Sequence, residues 1–361
     1  MRPRLKRTIE PVELPNGDVV LIRPGAEDIR VASPDKQERA LLLALDGRES
    51  VADLEARFGP LEVVETIARM QELDLIEDAA DDDLIPAGEL ARFDRQLRYF
   101  SDLTHGKAGP SPSECQARLR EARVAVLGVG GLGGRAAWEL AACGVGELRI
   151  IDGDRVEVSN LNRQIQYTEA DIGQLKVEIM AARLRAFNSA IRVAATAERL
   201  ESQAHLAEFI DGADVVVAAA DWPAHEIEAW CNAACFEAGI PHVGMAQFPP
   251  KIKVGPFYVP GVSGCYECQK IGWRRNYPFF EVAVDQLRGK SSPAATLGPS
   301  SGLIGAQVAA DVMHFVTGLA EPASLNAACL YDIRTMEVER VPVVAEATCS
   351  VCSHLPSTAG K

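Results

Sequence analysis

No stretch of the 361 residues stays apolar for the roughly 20 positions a membrane helix needs, so no membrane passage is expected. The basic N-terminus, MRPRLKRTIEPVELPNGD, has no apolar segment after it and does not read as a secretion signal. A cytoplasmic location is the expectation. Positive charge is in short supply: 37 Lys and Arg against 51 Asp and Glu leave a formal net charge of −14. That balance opposes any broad nucleic-acid surface. Internal repeats are absent, and so is low-complexity sequence outside one acidic stretch. What is present, 47% apolar and 24% charged residues, describes a globular chain long enough for two domains. In a reducing compartment the nine cysteines are expected as thiols or metal ligands rather than disulfides.

The acidic, proline-containing stretch EDAADDDLIPAG, Glu77 to Gly88, reads as a linker. It suggests a small domain over residues 1–80, a linker over 81–92 and a second domain over 93–361. In the first domain VVLIRPG and DIRVA read as strands around a Pro-Gly turn. DKQERALLLALDG is an amphipathic helix stopped near Gly47, and Ser50 with Asp53 spaces a capping box for the next helix. A third helix carries Val63, Ile67, Met70 and Leu73 on one face. Strands with three helices suggest a winged-helix α+β unit. Its third helix sets Glu62, Glu65, Glu72 and Asp74 against Arg69, which phosphates would repel. A peptide added to an exposed strand edge fits better. A purely stabilising appendage with its edge covered is the plainer alternative.

Beyond the linker, strands RVAVLGV, ELRIID, IRVAATAE, DVVVAAA and IPHVGMA alternate with helical segments. Such alternation predicts an α/β, Rossmann-like, mostly parallel sheet with helices on both faces. VAVLGVGGLGG reads as strand, tight turn and helix start, with Gly128, Gly130 and Gly133 in G-x-G-x-x-G spacing. That fingerprint is usual for NAD or FAD, but glycine turns also serve ordinary strand-to-helix packing. Asp152 ends the second strand, 24 residues past Gly128, where an acid would grip a ribose hydroxyl. NAD, FAD and ATP all remain open at that point. VEVSNLNRQIQY and GQLKVE then place Asn160, Arg163, Gln164 and Lys176 just past the same strand. Two cations there suit a triphosphate under attack at its α-phosphorus better than a dinucleotide. Asp221 emerges from VVAAAD, where it could hold Mg²⁺ against the phosphates. Taken singly, each has a plainer role: Arg163 and Lys176 as surface charges, Asp152 as a turn residue. Arg95 could pair with the acidic linker, worth only ~0–1 kcal/mol. Their ordered co-occurrence is what points to a nucleotide.

Two Cys-x-x-Cys knuckles, Cys265 with Cys268 and Cys349 with Cys352, supply four thiolates for a closed, structural zinc site. Two unrelated thiol pairs are the alternative. Cys143, Cys231, Cys235 and Cys329 sit in apolar or Ala-rich surroundings and read as core, as do His242 and His314. Cys115 is undistinguished.

The segments GVGGLGG, IIDGDRVEVSNLNRQ, GQLKVE and AAAD, in that order, resemble the ubiquitin-activating-enzyme-like (ThiF, MoeB, HesA) adenylyltransferases. FDRQLRYF, Phe93 to Phe100, resembles the arginine-bearing segment that precedes that fold, and the likeness runs to Cys352. The resemblance implies that Gly131 contacts ATP, Asp152 the ribose, and Asn160, Arg163 and Lys176 the phosphates. Gly128, Gly130, Gly133, Asp154 and Gln164 complete the nucleotide-binding set. Asp221 would bind Mg²⁺, and Arg95 would reach a neighbouring subunit's site, which implies a homodimer. The resemblance also supports zinc on the two knuckles. SVADLEARFGPLEVVETIARMQELDLIED is similar to the peptide-recognition elements of ribosomal peptide natural-product pathways. An adenylating domain fused to such a unit resembles the microcin C and pantocin type of peptide-modifying enzyme. A leader peptide would then lie along DIRVA against the third helix, with Arg30, Val31 and Met70 in the groove.

Two departures from the family matter. Between Gln269 and Gln307 there is no cysteine, and KSSPAATLGPSSGLIGAQ offers only Ser and Thr. Without a thiolate no acyl thioester forms, so another group must take the adenylate. The usual Asp-Asn pair is also replaced by Asp221-Trp222. The expectation is an AMP- and pyrophosphate-forming enzyme that adenylates a carboxylate or amide of a precursor peptide. The rivals are activation of a ubiquitin-like sulfur carrier, a non-catalytic leader-binding scaffold for a cyclodehydratase and, more distantly, an oxidoreductase.

Overall fold

Short capped helices set the frame of the N-terminal region in the computed structural model, which describes residues 1–23, 25, 27–104, 109–224, 226–287 and 295–355. Strands β1 (Pro3–Leu5), β2 (Glu10–Glu13), β3 (Val19–Ile22) and β4 (Ile29–Val31) come first. Helices α1 (Lys36–Ala44), α2 (Val51–Phe58) and α3 (Pro60–Glu72) follow, then β5 (Ile76–Asp78), α4 (Ala87–Leu103) and α5 (Pro112–Glu121). Asp35 and Glu38 form a capping box on α1, and Ser50 and Asp53 form the one expected on α2. The periodicity of α3 holds: Val63, Ile67 and Met70 are buried among Leu21, Leu41, Leu54 and Leu75, with Leu73 packed against them. β2, β3 and β4 make an antiparallel sheet in which β4 is an edge. β1 pairs with β5, Leu5 opposite Ile76.

Residues 81–92, read above as a linker, are ordered. Ala79–Leu84 is a 3₁₀ turn, and α4 begins at Ala87. The acidic residues there have partners: Asp82 pairs with Arg4 at 2.7 Å and Arg7 at 2.5 Å and accepts from the Ser113 hydroxyl at 2.8 Å. The first compact unit therefore runs to Arg118 and also takes in Thr317–Leu319.

The second unit, Leu119–Val316 with Ala320–Lys361, alternates as expected. β6 (Arg123–Leu127), α6 (Gly133–Cys143), β7 (Glu147–Ile151), α7 (Lys176–Phe187), β8 (Arg192–Thr196), α8 (Gln203–Ile210), β9 (Val215–Ala218), α9 (Ile227–Ala238) and β10 (His242–Phe248) match the predicted series. β11 (Lys251–Tyr258), α10 (Tyr266–Asn276), α11 (Phe280–Leu287), α12 (Gly298–Thr317), β12 (Ala327–Asp332) and β13 (Val338–Pro342) complete it. The eight strands lie in the order β13-β12-β11-β10-β9-β6-β7-β8. From β10 to β8 every pair is parallel, and β11, β12 and β13 extend the sheet antiparallel. Val124 to Leu127 of β6 are fully buried, as a strand covered on both faces must be. Ala125 and Leu127 pack towards α8 and α9, beside Cys231 and Cys235, and the alternate residues face the other layer. The chain runs from β6 outward to β7 and β8 on one side and to β9 and β10 on the other. The strand order therefore reverses beside β6, and crevices for ligands open at such switch points. Among the described residues no helix is long and apolar enough to cross a membrane.

Candidate nucleotide site

The glycine turn sits at that switch point. Gly128 has φ +83°, and a Cβ there would come within 3.1 Å of the Ala219 carbonyl oxygen and 3.2 Å of the Ala220 Cα. The turn and the end of β9 thus touch through backbone, a contact only glycine allows. A Cβ on Gly133 would stand 2.8 Å from the Ala219 Cβ and strike the Gly128 carbonyl. Gly131 lies against the Arg163 stem and the Ser301 hydroxyl, and Gly130 faces the Gln164 amide. Helix α6 starts directly from this turn with no side-chain cap on its first turn. Uncapped N–H groups at a helix start attract anions.

Asp152 ties the turn to β7. One carboxylate oxygen accepts the Val129 N–H at 2.9 Å and the other the Asp154 N–H at 2.8 Å. Burial raises Asp152 above the usual carboxylate range, against the pull of Lys176 and those two N–H groups. A carboxylate offers about four lone-pair sites, so capacity for ribose hydroxyls remains. Lys176 opens α7 with its side chain 8% exposed and its ammonium 3.1 Å from Asp154, which also pairs with Arg199 at 2.7 Å. Burial pushes Asp154 up, but Lys176 and then Arg199 bring it below the ordinary range.

Asn160 is buried and accepts the Glu157 N–H at 3.0 Å, fixing the loop that carries Arg163. The Arg163 guanidinium donates to the Ser159 carbonyl at 2.9 Å. Gln164 is 3% exposed and its Oε1 has no partner among the described residues. An orphaned acceptor beside the turn fits a site completed by a ligand. Asp221, exposed just after the Ala219–Ala220 contact, is in no ion pair among the described residues. A carboxylate so placed fits a divalent cation. The structure thus gathers Gly128 through Gly133, Asp152, Asp154, Asn160, Arg163, Gln164 and Lys176 around one turn, with Asp221 at its border.

Two residues that the motif pattern does not single out hold the turn's carbonyls. Gln166 donates to Val129 at 3.1 Å and Gly130 at 2.8 Å, and the Tyr167 hydroxyl donates to Val129 at 2.8 Å. Ser301, which accepts from Gln247 at 2.7 Å, lies far along the chain in α12. Nothing local in the sequence marks it. Arg95 is exposed on α4 of the first unit.

Cys265, Cys268, Cys349 and Cys352 bring their sulfurs within 4.8 Å of one another. Separations of 3.5 Å (Cys265–Cys349), 3.3 Å (Cys268–Cys352) and 3.9 Å (Cys265–Cys268) fit a tetrahedral zinc, whose thiolates at ~2.3 Å stand about 3.8 Å apart. The set is closed and walled by Phe236, Tyr258, Tyr266 and Val343, as suits a structural ion. The Glu346 N–H donates to the Cys268 sulfur at 3.3 Å.

In the first unit, Arg30 of β4 pairs with buried Asp18, and Val31 packs on the core. Met70 is only 9% exposed and lies inside that core rather than on a groove. On α3 it is Leu61 and Val64, 65% and 53% exposed, that reach the surface.

A parallel sheet with an uncapped glycine turn at its switch point, a carboxylate bonded to that turn and a buried lysine beside it is the arrangement of a nucleotide-binding enzyme unit. The chain belongs to the ThiF family, which its residues 93–353 match. It is similar to the sulfur carrier protein adenylyltransferase of Thermus thermophilus, 31% identical over 265 residues, 72% of this chain and 92% of that protein. It is 30% identical to the molybdopterin-synthase adenylyltransferase of Escherichia coli over 272 residues, 74% of this chain and 97% of that one. Among solved structures it resembles E. coli MccB with ATP and MccB with AMPCPP and MccA. Each has TM-score 0.71 and 25% identity and covers 98% of this chain and 100% of the other. The chain is an ATP-dependent adenylyltransferase.

Proposed function

We propose that the chain adenylates a carboxylate or amide of a ribosomal precursor peptide held by its N-terminal unit. One observation carries this reading: where the two sets of relatives stop. The carrier-protein adenylyltransferases match 72% and 74% of this chain with 92% and 97% of their own length. They lack the unit ahead of residue 93, whereas MccB, crystallised with MccA and AMPCPP, spans 98% of the chain. The missing cysteine between Gln269 and Gln307 agrees, because carrier chemistry through a thioester needs a thiolate.

In this reading the leader adds to the free edge of β4 near Arg30 and Val31, with Met70 supporting the surface from within. ATP lies on the glycine turn with its ribose on Asp152 and its phosphates on Asn160, Arg163 and Lys176. Asp221 holds Mg²⁺, which supplies charge neutralisation at the phosphates. A peptide oxygen attacks the α-phosphorus, the bond to the β-phosphate oxygen breaks, and pyrophosphate leaves. The peptide itself consumes the adenylate. Arg95 completes the site of a partner subunit in a homodimer, and zinc on the four cysteines braces the C-terminal segment.

Exchange of radiolabelled pyrophosphate into ATP tests this with candidate precursor peptides and, in parallel, with sulfur carriers ending in Gly-Gly. Peptide-dependent exchange is expected. Exchange with the carriers alone would favour the second reading, carrier activation, which the named relatives support.

A further inference from the structure

We propose that Arg199 is a positioning residue for ATP, acting through Asp154 on Lys176. The proposal rests on Lys176 being a phosphate ligand. Lys176 is almost wholly buried, and among the described residues its one ion pair is with Asp154, Nζ to Oδ2 at 3.1 Å. A triphosphate that recruits this ammonium must draw it away from that carboxylate. Asp154 would then face the incoming negative charge without a counterion, at a cost that opposes binding.

Arg199 removes the difficulty. Its Nη2 lies 2.7 Å from Oδ1, the oxygen of Asp154 that Lys176 leaves free. It reaches there from the loop after β8 by lying across Gly153, where a Cβ would stand 2.6 Å from the Arg199 Cγ. The competing acid Glu198 is 3.2 Å from the His205 imidazole instead. Gly153, Arg199 and His205 line a cleft of ≈ 450 Å³ next to Asp152 and Asp154. Asp154 therefore carries two cations, one fixed to it and one that can be transferred. With Arg199 present, Lys176 turns to the phosphates and Asp154 stays neutralised. Without it, Lys176 is held more tightly and the exposed carboxylate repels the ligand.

Calorimetric titration of the full chain with ATP and Mg²⁺, and separately with adenosine, tests this. Arg199→Gln should weaken ATP about three- to fivefold, the upper part of the range for an exposed ion pair, and leave adenosine unchanged. In an Asp154→Asn background the same Arg199→Gln change should cost ATP less than about twofold, because the carboxylate through which Arg199 acts is gone. A structural role for Arg199 predicts neither result. Equal losses for ATP and adenosine, or the same ATP loss from Arg199→Gln in the Asp154→Asn background as in the parent, overturn the proposal. Lys176→Ala separates the two ideas: unchanged ATP affinity there defeats the phosphate reading itself. A loss there, together with an inert Arg199→Gln, defeats only the role of Arg199.

Discussion

Two glycines in one turn differ sharply in what they tolerate. Gly133 has backbone and a packed Ala219 where a Cβ would go, whereas Gly131 meets only the Arg163 stem and the Ser301 hydroxyl at 3.2 Å each. Gly133→Ala should lower the melting temperature and abolish ATP binding together. Gly131→Ala should leave the melt close to the parent and weaken ATP alone. Paired thermal melts with and without ATP check both, and a stable, ATP-responsive Gly133→Ala would contradict the packing argument. The motif spacing revealed these glycines and Asp152 because each stands within a few residues of a strand end, and Lys176 because it opens the helix that follows. It did not reveal Gln166 and Tyr167, whose role is to bond carbonyls of a turn that precedes them by more than thirty residues. Met70 shows the opposite failure. Its place in a helical stripe marks it as core, and burial confirms that over a surface role.

Helices and parallel strands were readable because their signals are local: period, caps and glycine stops. Pairings between distant segments were not. β1 with β5 joins residues 3–5 to 76–78, and the antiparallel run from β11 to β13 follows no alternating unit. The supposed linker failed for the same reason. Its acidic composition is that of a solvated segment, but the arginines that answer it lie at positions 4 and 7. The ion pairs there make a pH prediction. Against its burial, Arg4, Ser113 and Arg7 bring the Asp82 carboxyl down from 3.8 to about 2. A depressed folded value means the contribution is complete above pH 4 and disappears as pH falls towards 2. Asp82→Asn should therefore flatten the acid limb of stability between those values, read by denaturant midpoints at stepped pH. An unchanged acid limb would refute the assignment.

The four cysteines come from two segments more than eighty residues apart, so a metal there would close a long stretch of chain. One zinc per chain is expected by elemental analysis. Chelation should lower the melting temperature while leaving the cysteines as thiols. A metal-free preparation with the same melt would reduce the cluster to packed sulfur. The expected dimer has its own signature. Mixed Arg95→Ala and Lys176→Ala chains, each inactive, should recover about a quarter of the parental exchange rate if Arg95 serves a partner's site, because half the dimers are mixed and each has one intact centre. No recovery on mixing would confine Arg95 to its own chain.

Helix α6 also bears on how the protein behaves without substrate. α1, α2 and α8 each begin under a side-chain oxygen, whereas α6, like α3 and α7, begins under none. With ATP on the glycine turn as proposed, its phosphates would satisfy the opening amides of α6, and nucleotide would serve as the missing end-piece of a structural element. Amide hydrogens over residues 130–133 should accordingly trade with deuterated solvent quickly in the empty protein and slow down first when ATP arrives, whereas Gly134, already bonded to the Gly130 carbonyl at 3.0 Å, changes less.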